Sequence, residues 1–587
     1  GSDVVGTRDV MLAAGNALSL TSAPGMESRS HRVQESKSGL MGSGGIGFTV
    51  GSKQETLTDS SNGRYEAGST VGSLEGNVML NAGGDVWVRG AELLAGGDLT
   101  LIGNNVTLES AYTHNHQEQH YEVSQSGLSL ALSGSVGSSI NSGVKAAQAA
   151  NTGENDRLAA LQAVKAGLSG YQAYQATQIE GGNSGDSSFV GIAASLGSQQ
   201  SESHQSSDQR IAQGSDLLAG NNLSVIARDG DITSQGSAMQ AGHDLTLTAA
   251  QNITLLAAGN TQKMEGESSS RGGNIGVSLG AGSDGFGISL FADVNAARGN
   301  EGGNGTTWTE STATAGNRLA LIAGQDVTLA GAQVSGREVS ADIGGNLTLA
   351  GLQDSDRYHS EQQNIAAGGS FTWGSMSGSG YISAGQQQMD ADYRSVTDQT
   401  GIMAGSGGFN LNVGGHTQLD GAVIASTAAA ALNQLETGSL GWRDIANHAE
   451  FAVESQSIGI SSGGSAGKQF AGNMANTLLN GNGNQGEADS TTHAAIAQGS
   501  LRVRDGSGTD IRRDTGGHEA LAPIFDKEKE QAALDVQQGV ADIGIQIGDI
   551  LRTEGKIAAQ AAAKDPAKRA EAEAALQLRV QAVEVRA

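Results

Sequence analysis

The stretch AGGDLTLIGNNVTLESA, residues 95–111, decides how this chain is read. Leu99 and Leu101 alternate with Thr100, and Val106 and Leu108 flank Thr107, so each triplet places its apolar side chains on one face of a short strand. Gly and Asn between the triplets tolerate the positive φ of tight corners. The phrase returns as AGNNLSVIARDGDITSQGS (219–237), AGHDLTLTAAQNITLLAA (241–258) and AGNRLALIAGQDVTLAGA (315–332). Weaker copies stand at 14–20, 82–88, 343–349 and 413–419. Leu245, Leu247, Ile253 and Leu255 repeat the four apolar positions, as do Leu319, Leu321, Val327 and Leu329. Two three-residue strands per copy are too short for an independent sheet. Stacked ~4.8 Å apart they share one interior. The expected fold is therefore all-β: a right-handed parallel β-helix (solenoid) with rungs of roughly 20 residues. A sandwich array is the weaker alternative, because its strands usually run about 5–6 residues.

Composition agrees. The 587 residues include 89 glycines, about twice the usual share near 7%. Three prolines and no third-residue glycine exclude collagen, and the absence of cysteine excludes disulfide staples and thiolate metal sites. No apolar run reaches the ~18 residues of a membrane helix, and no signal peptide is expected at the start. A net charge of −27 repels phosphate backbones, so no nucleic-acid partner is expected.

A longer period overlies the rungs. Polar segments begin near His31, His116, Met264, His359 and His448, which implies five modules, each of rungs plus an insert. Each insert opens polar, as in HNHQEQHYEVSQSG (114–127), and continues as a Gly-rich alternation. Ile46, Phe48 and Val50 share one face. Ile275, Val277 and Leu279 share another, turn at Gly280–Gly285, and return as Phe286, Ile288 and Leu290. Residues 274–294 thus read as a β-hairpin. Phe371 and Trp373 repeat the theme. Two readings stay open: the hairpins pack on the solenoid flank or on each other, or their Gly/apolar alternation serves as outer-membrane strands of about 9–11 residues. The lack of aromatic girdles counts against the second.

Leu158, Leu161, Val164, Leu168 and Tyr171 have helical spacing, which puts a helical insertion at about 144–178. Phe470, Met474 and Leu478 suggest a short helix. Residues 1–520 are expected to form the solenoid domain. Residues 521–587, with helices over 526–560 and 565–586, form an α-helical C-terminal segment, most simply a cap on the open end.

Site chemistry is sparse. His114, His116 and His120 offer metal donors, but a polar hairpin stem explains them. The run Gly463–Lys468 lacks the first glycine of a phosphate loop and has Gln469 where Ser or Thr would hold magnesium. Asp98, Asp244 and Asp326 recur at corners, where a carboxylate caps local backbone groups. Asn105, Asn222, Asn252 and Asn346 begin Asn-x-Ser/Thr triplets as by-products of the repeat. Outward strand positions carry Thr, Ser and Ala, which supply no acid or base. No catalysis, cofactor or metal is expected.

The repeated AGGDLTL…NNVTL phrase with Gly-rich inserts, over about residues 5–515, resembles the haemagglutinin repeats of filamentous haemagglutinin-type exoproteins. More narrowly it is similar to the second repeat region of CdiA-type contact-dependent growth inhibition effectors. Ala522–Gln531 (APIFDKEKEQ) resembles the start of their pretoxin region. The resemblance implies export through an outer-membrane two-partner secretion transporter and periplasmic retention until a receptor is engaged. It also implies association with a target-cell outer membrane and delivery of a toxin in cis. No toxin or Val-Glu-Asn-Asn boundary motif is found in this sequence. The resemblance leaves the oligomeric state open. A column templated rung by rung suits such export, because an unfolded chain without disulfides can thread a pore and fold from one end.

Overall fold

The computed structural model describes residues 1–42, 46–152, 156–178, 190–282, 285–373, 377–462, 482–516 and 518–562. Alternating apolar residues build rungs with three faces, one more than the two strands read from each sequence copy. In one rung these are Glu92–Ala95, Leu99–Gly103 and Val106–Glu109. The strands mostly run four or five residues rather than three, because a flanking residue joins each ladder. Neighbouring rungs pair in parallel and in register, with Val78 on Leu99, Leu99 on Leu223, Leu223 on Leu245 and Leu245 on Leu319. The third face is a nine-stranded parallel sheet from Leu18–Thr21 to Ser439–Arg443. The fold is an all-β parallel β-helix.

The twelve leucine, valine and isoleucine positions of the sequence phrase all lie in one continuous core. Leu99, Leu101, Val106, Leu108, Leu245, Leu247, Ile253, Leu255, Leu319, Leu321, Val327 and Leu329 are essentially without solvent exposure. Each contributes about 2 kcal/mol of apolar burial.

The corner carboxylates work between rungs rather than locally. Asp98 accepts the backbone N–H of Asn222 at 3.0 Å, and Asp326 accepts that of Asn346 at 2.7 Å. A rung whose corner dipoles are satisfied by its neighbour is only complete when stacked.

The third-face strand ends in one of two ways, alternately. It turns through a positive-φ glycine directly into the next rung, as at Gly90, Gly236, Gly331 and Gly421 with φ of 54 to 59°. Otherwise it leaves the column as a long β-hairpin. The first hairpin pairs Ala23–Gly42 with Gly47–Ala67. The second pairs Ala111–Ser133 with Val190–Gln213, and the third Ala258–Gly282 with Gly285–Thr309. The fourth pairs Asp354–Trp373 with Ser377–Ser395, and the fifth Ile445–Ser462 with Asn482–Thr492. Two rungs advance the column ~9.6 Å, and one hairpin adds two strands, also ~9.6 Å. The pitches match, so consecutive hairpins pair edge to edge into one ten-stranded antiparallel sheet.

These hairpins are longer than the 274–294 reading, because the polar stems are strand too. Helix α1 (Gly134–Thr152) and helix α2 (Asp156–Gln178) follow the tip of the Ala111–Ser133 strand, beginning ten residues before the expected insertion. Helix α3 (Lys527–Ala562) lies against the hairpin sheet rather than over the end of the column. That end is covered instead by residues 504–513. Arg513 donates to the carbonyls of Ile496, Ala497 and Gly499, Arg504 donates to that of Val413, and Ile511 is buried. The short helix at 470–478, the run 463–468 and the helix at 565–586 lie outside the described residues.

Candidate functional site: an apolar belt on the hairpin sheet

Cross-strand register fixes which side chains share a face. Phe48 pairs with Leu130, Leu130 with Ala194, Ala194 with Val277, Val277 with Leu290, and Leu290 with Phe371. One row toward the tips, Leu132, Ile192, Leu279, Ile288 and Trp373 follow one another across five strands. One row toward the stem, Leu40, Val50, Leu128, Leu196, Ile275 and Ala292 do the same. The tip halves of consecutive hairpins therefore present one shared apolar face.

This face is open. Ile275 is 63% exposed and Leu279 58%, although both lie mid-strand. Ile46, Phe48, Val50, Val277, Ile288, Leu290, Phe371 and Trp373 are exposed as well. Phe371 and Trp373 meet edge to face at 5.4 Å. Phe286 pairs with Ala281 through the backbone, and its side chain lies outside the described residues. The register adds residues that the sequence reading did not assign to this surface: Leu40, Ile192, Leu196, Val294, Ile365 and Ile382. The alternation Val190-Gly-Ile-Ala-Ala-Ser-Leu196 was the available signal. From Ile365 to Trp373 the belt rises about 27 Å at the usual rise per residue.

The opposite face carries mostly Gly, Ser, Thr and Ala, with Phe291, Asp293 and Tyr381 among them. Thr49 meets Ser129 at 2.7 Å, and Ser289 meets Thr372 at 2.7 Å. Toward the stem, the face below the belt turns charged. His116 bonds Asp208 at 2.7 Å, His359 bonds Asp390 at 2.6 Å and Arg357 bonds Asp392 at 2.8 Å. His120 lies 3.7 Å from Glu202 across the same strand pair. The three sequence histidines are thus spread along a polar stem, two of them facing carboxylates. Among the described residues one set places three ligand atoms within 4.8 Å: His448, Glu487 and Asp489. Asp489 accepts from His448 and raises its pKa.

Helix α3 rests on the Gly/Ser/Thr face. Leu534 packs with Met389 and Val453, and Phe525 stacks on Tyr358. Lys527 bonds Glu301, and Asn484 donates to the buried Glu530 at 2.7 Å. Glu301 and Asn484 sit four strands apart, ~19 Å in a flat sheet. The long side chains of one helical turn bridge these four strands, so the start of α3 is seated across the sheet.

At the foot of the third hairpin, Glu310 is pushed up to about 7 by burial and by the neighbouring Asp398 and Asp354 carboxylates. Among the described residues no helix is long and apolar enough to cross a membrane.

The hemagglutinin repeat family profile matches residues 1–121, 50–183 and 196–365, more than half of the chain. The chain is 44% identical over 580 residues to a tRNA nuclease CdiA of Escherichia coli (strain NC101), covering 96% of this chain and 18% of that relative. It is 46% identical over 560 residues to a deoxyribonuclease CdiA of Dickeya dadantii (strain 3937), covering 93% and 17%. It is 45% identical over 582 residues to a deoxyribonuclease CdiA of Yersinia pseudotuberculosis serotype O:3 (strain YPIII), covering 97% and 54%. The chain thus spans under a fifth of the first two relatives and about half of the third. No solved structure matches. A leucine-stacked parallel column with hairpins at every second rung is how this sequence builds its repeats, and the chain belongs to the hemagglutinin repeat family as a CdiA-type filamentous haemagglutinin region.

Proposed function

We propose that this chain is the non-catalytic translocation segment of a contact-dependent growth inhibition exoprotein. In this reading residues 1–520 are the working domain, and residues 521–587 lead to the toxin that follows in the full-length protein. The protein leaves its own cell through a two-partner secretion transporter and waits in the periplasm until a receptor is bound. The hairpin tips then enter the target-cell outer membrane so that the toxin can pass.

The observation that carries this reading is the open belt. Its ~27 Å height is enough for the ~25 Å apolar band of outer-membrane strands, and its reverse face is mostly polar, as the inner face of such strands is. A charge of −27 repels anionic lipid, so binding has to come from apolar burial and should not weaken as salt rises. The second reading is a passive adhesin stalk that positions a receptor-binding tip, for which the parallel column alone would suffice.

Vesicle flotation separates the two. The chain is expected to float with phospholipid vesicles at low and high salt, and the Ile275→Asp/Leu279→Asp variant to remain at the bottom while keeping its strand content. A chain that stays at the bottom unmutated is a stalk.

A further inference from the structure

The face of the hairpin sheet opposite the belt already holds a piece of polypeptide, and the direction in which that piece runs is informative. The strands leave the column at their stem ends. Phe525 contacts Tyr358 and Phe451, which lie toward those stem ends. Lys527 bonds Glu301 and Leu534 contacts Met389 and Val453, all in one row two residues farther out. Gln531 to Gln538 then border a cavity of about 590 Å³ lined midway along the strands by Ser201, Ser203, Ser268, Ser270, Asn364 and Ser455.

Beyond that cavity α3 runs alongside α2. Gln546 bonds Ser169 at 2.8 Å and Gln172 at 2.9 Å, and Gln175 donates to the carbonyl of Ile550 at 3.1 Å. Helix α1 begins at the tip of the Ala111–Ser133 strand. Val136 at its start packs on Ala173 and Ala176 near the end of α2, so that end of α2 also lies by the tips. Asn141 of α1 accepts from the backbone of Ile46 in the first hairpin's tip. Helix α3, ~54 Å long, therefore starts near the solenoid and ends near the strand tips.

We propose that the face opposite the belt is a polypeptide track, with α3 as its first occupant, which delivers the residues following α3 to the tip side of the belt. This rests on the membrane reading above and adds a path to it. The strands line this cavity mainly with Ser, Gln and Asn, beside Tyr121, Glu202 and Arg298, and the hydroxyl and amide groups bond backbone N–H and C=O groups with little selection of sequence. The partner class is therefore an extended or helical polypeptide of varied composition. If the belt enters a bilayer tips first, Ala562 arrives on the far side while the solenoid stays on the near side.

The chain has no cysteine, so single reporters are clean. Ala562→Cys and Ser19→Cys, the latter on an outward solenoid position, are each bound to phosphatidylethanolamine/phosphatidylglycerol vesicles. They are treated with a membrane-impermeant maleimide, added outside or sealed within. The expected result is that Ala562→Cys reacts with the sealed reagent and at least ten-fold more slowly than Ser19→Cys with the external one. If the chain floats but both cysteines react equally fast from outside, the track is refuted and the membrane reading stands. If the chain does not float, the membrane reading falls and this inference falls with it.

Discussion

Leu247 shows what one residue contributes. It pairs with Val225 in the rung before and Leu321 in the rung after, and it has no solvent exposure. Truncation removes its transfer free energy and leaves a cavity that a stacked column cannot close by local collapse. Leu247→Ala should cost about 2–5 kcal/mol in urea unfolding; a cost below about 1 kcal/mol would mean that the interior is not close-packed. Glu310 behaves in the opposite sense from most carboxyls. Folding raises its pKa from 4.5 to about 7, so the folded chain holds the proton more tightly than the unfolded one. Its contribution is most favourable at or below pH 4.5 and is lost as pH rises through 7. The shift corresponds to about 3 kcal/mol, reduced to about 1–2 kcal/mol because the group is partly exposed. Glu310→Gln should therefore stabilise the chain by that amount at pH 8 and change little at pH 4.5, measured by paired urea titrations. Equal effects at both values would contradict the assignment.

The hairpins show where sequence reading reaches and where it stops. Leu99 and Leu247 were legible because a buried alternation repeats many times with Gly and Asn at fixed corners. The polar stem was legible around His114–His120 but its length was not, because His114–Gly127 is largely polar on both faces and is ordered by its neighbours at Gly51–Arg64 and Gly197–Arg210 rather than by its own pattern. The seat of α3 was hidden for a related reason. Its contacts, such as Leu534 with Met389 and Lys527 with Glu301, join segments more than a hundred residues apart. Phe48 of the first hairpin shares a face with Phe371 and Trp373 of the fourth only through register, which no single module's pattern reveals. Register itself is testable. Deleting Ser270 shifts Ile275, Val277 and Leu279 by one residue and turns them to the face opposite the belt. That variant should keep its strand signal in circular dichroism and lose flotation with vesicles. Full flotation would mean that this face of the hairpin is not the binding surface.

At the scale of the molecule, a column and a sheet share one pitch. The column adds a rung every ~4.8 Å, and the sheet adds a strand at the same spacing. Hairpins leaving at every second rung are therefore paired wherever the column is complete. The column sets the order of the strands, the strands set the rows, and the rows place side chains from separate modules in one belt. Removing a rung pair would remove two strands and leave the remaining hairpins in register, which suits a family built by repetition. The central claim is that this belt enters lipid. Trp373 sits within it, and Trp87, Trp308 and Trp442 lie elsewhere. In a variant with those three changed to Phe, the emission of Trp373 should shift to the blue on adding vesicles and be quenched by lipids brominated in the acyl chain. Emission that stays solvent-like and unquenched, with the protein bound or free, would contradict the account.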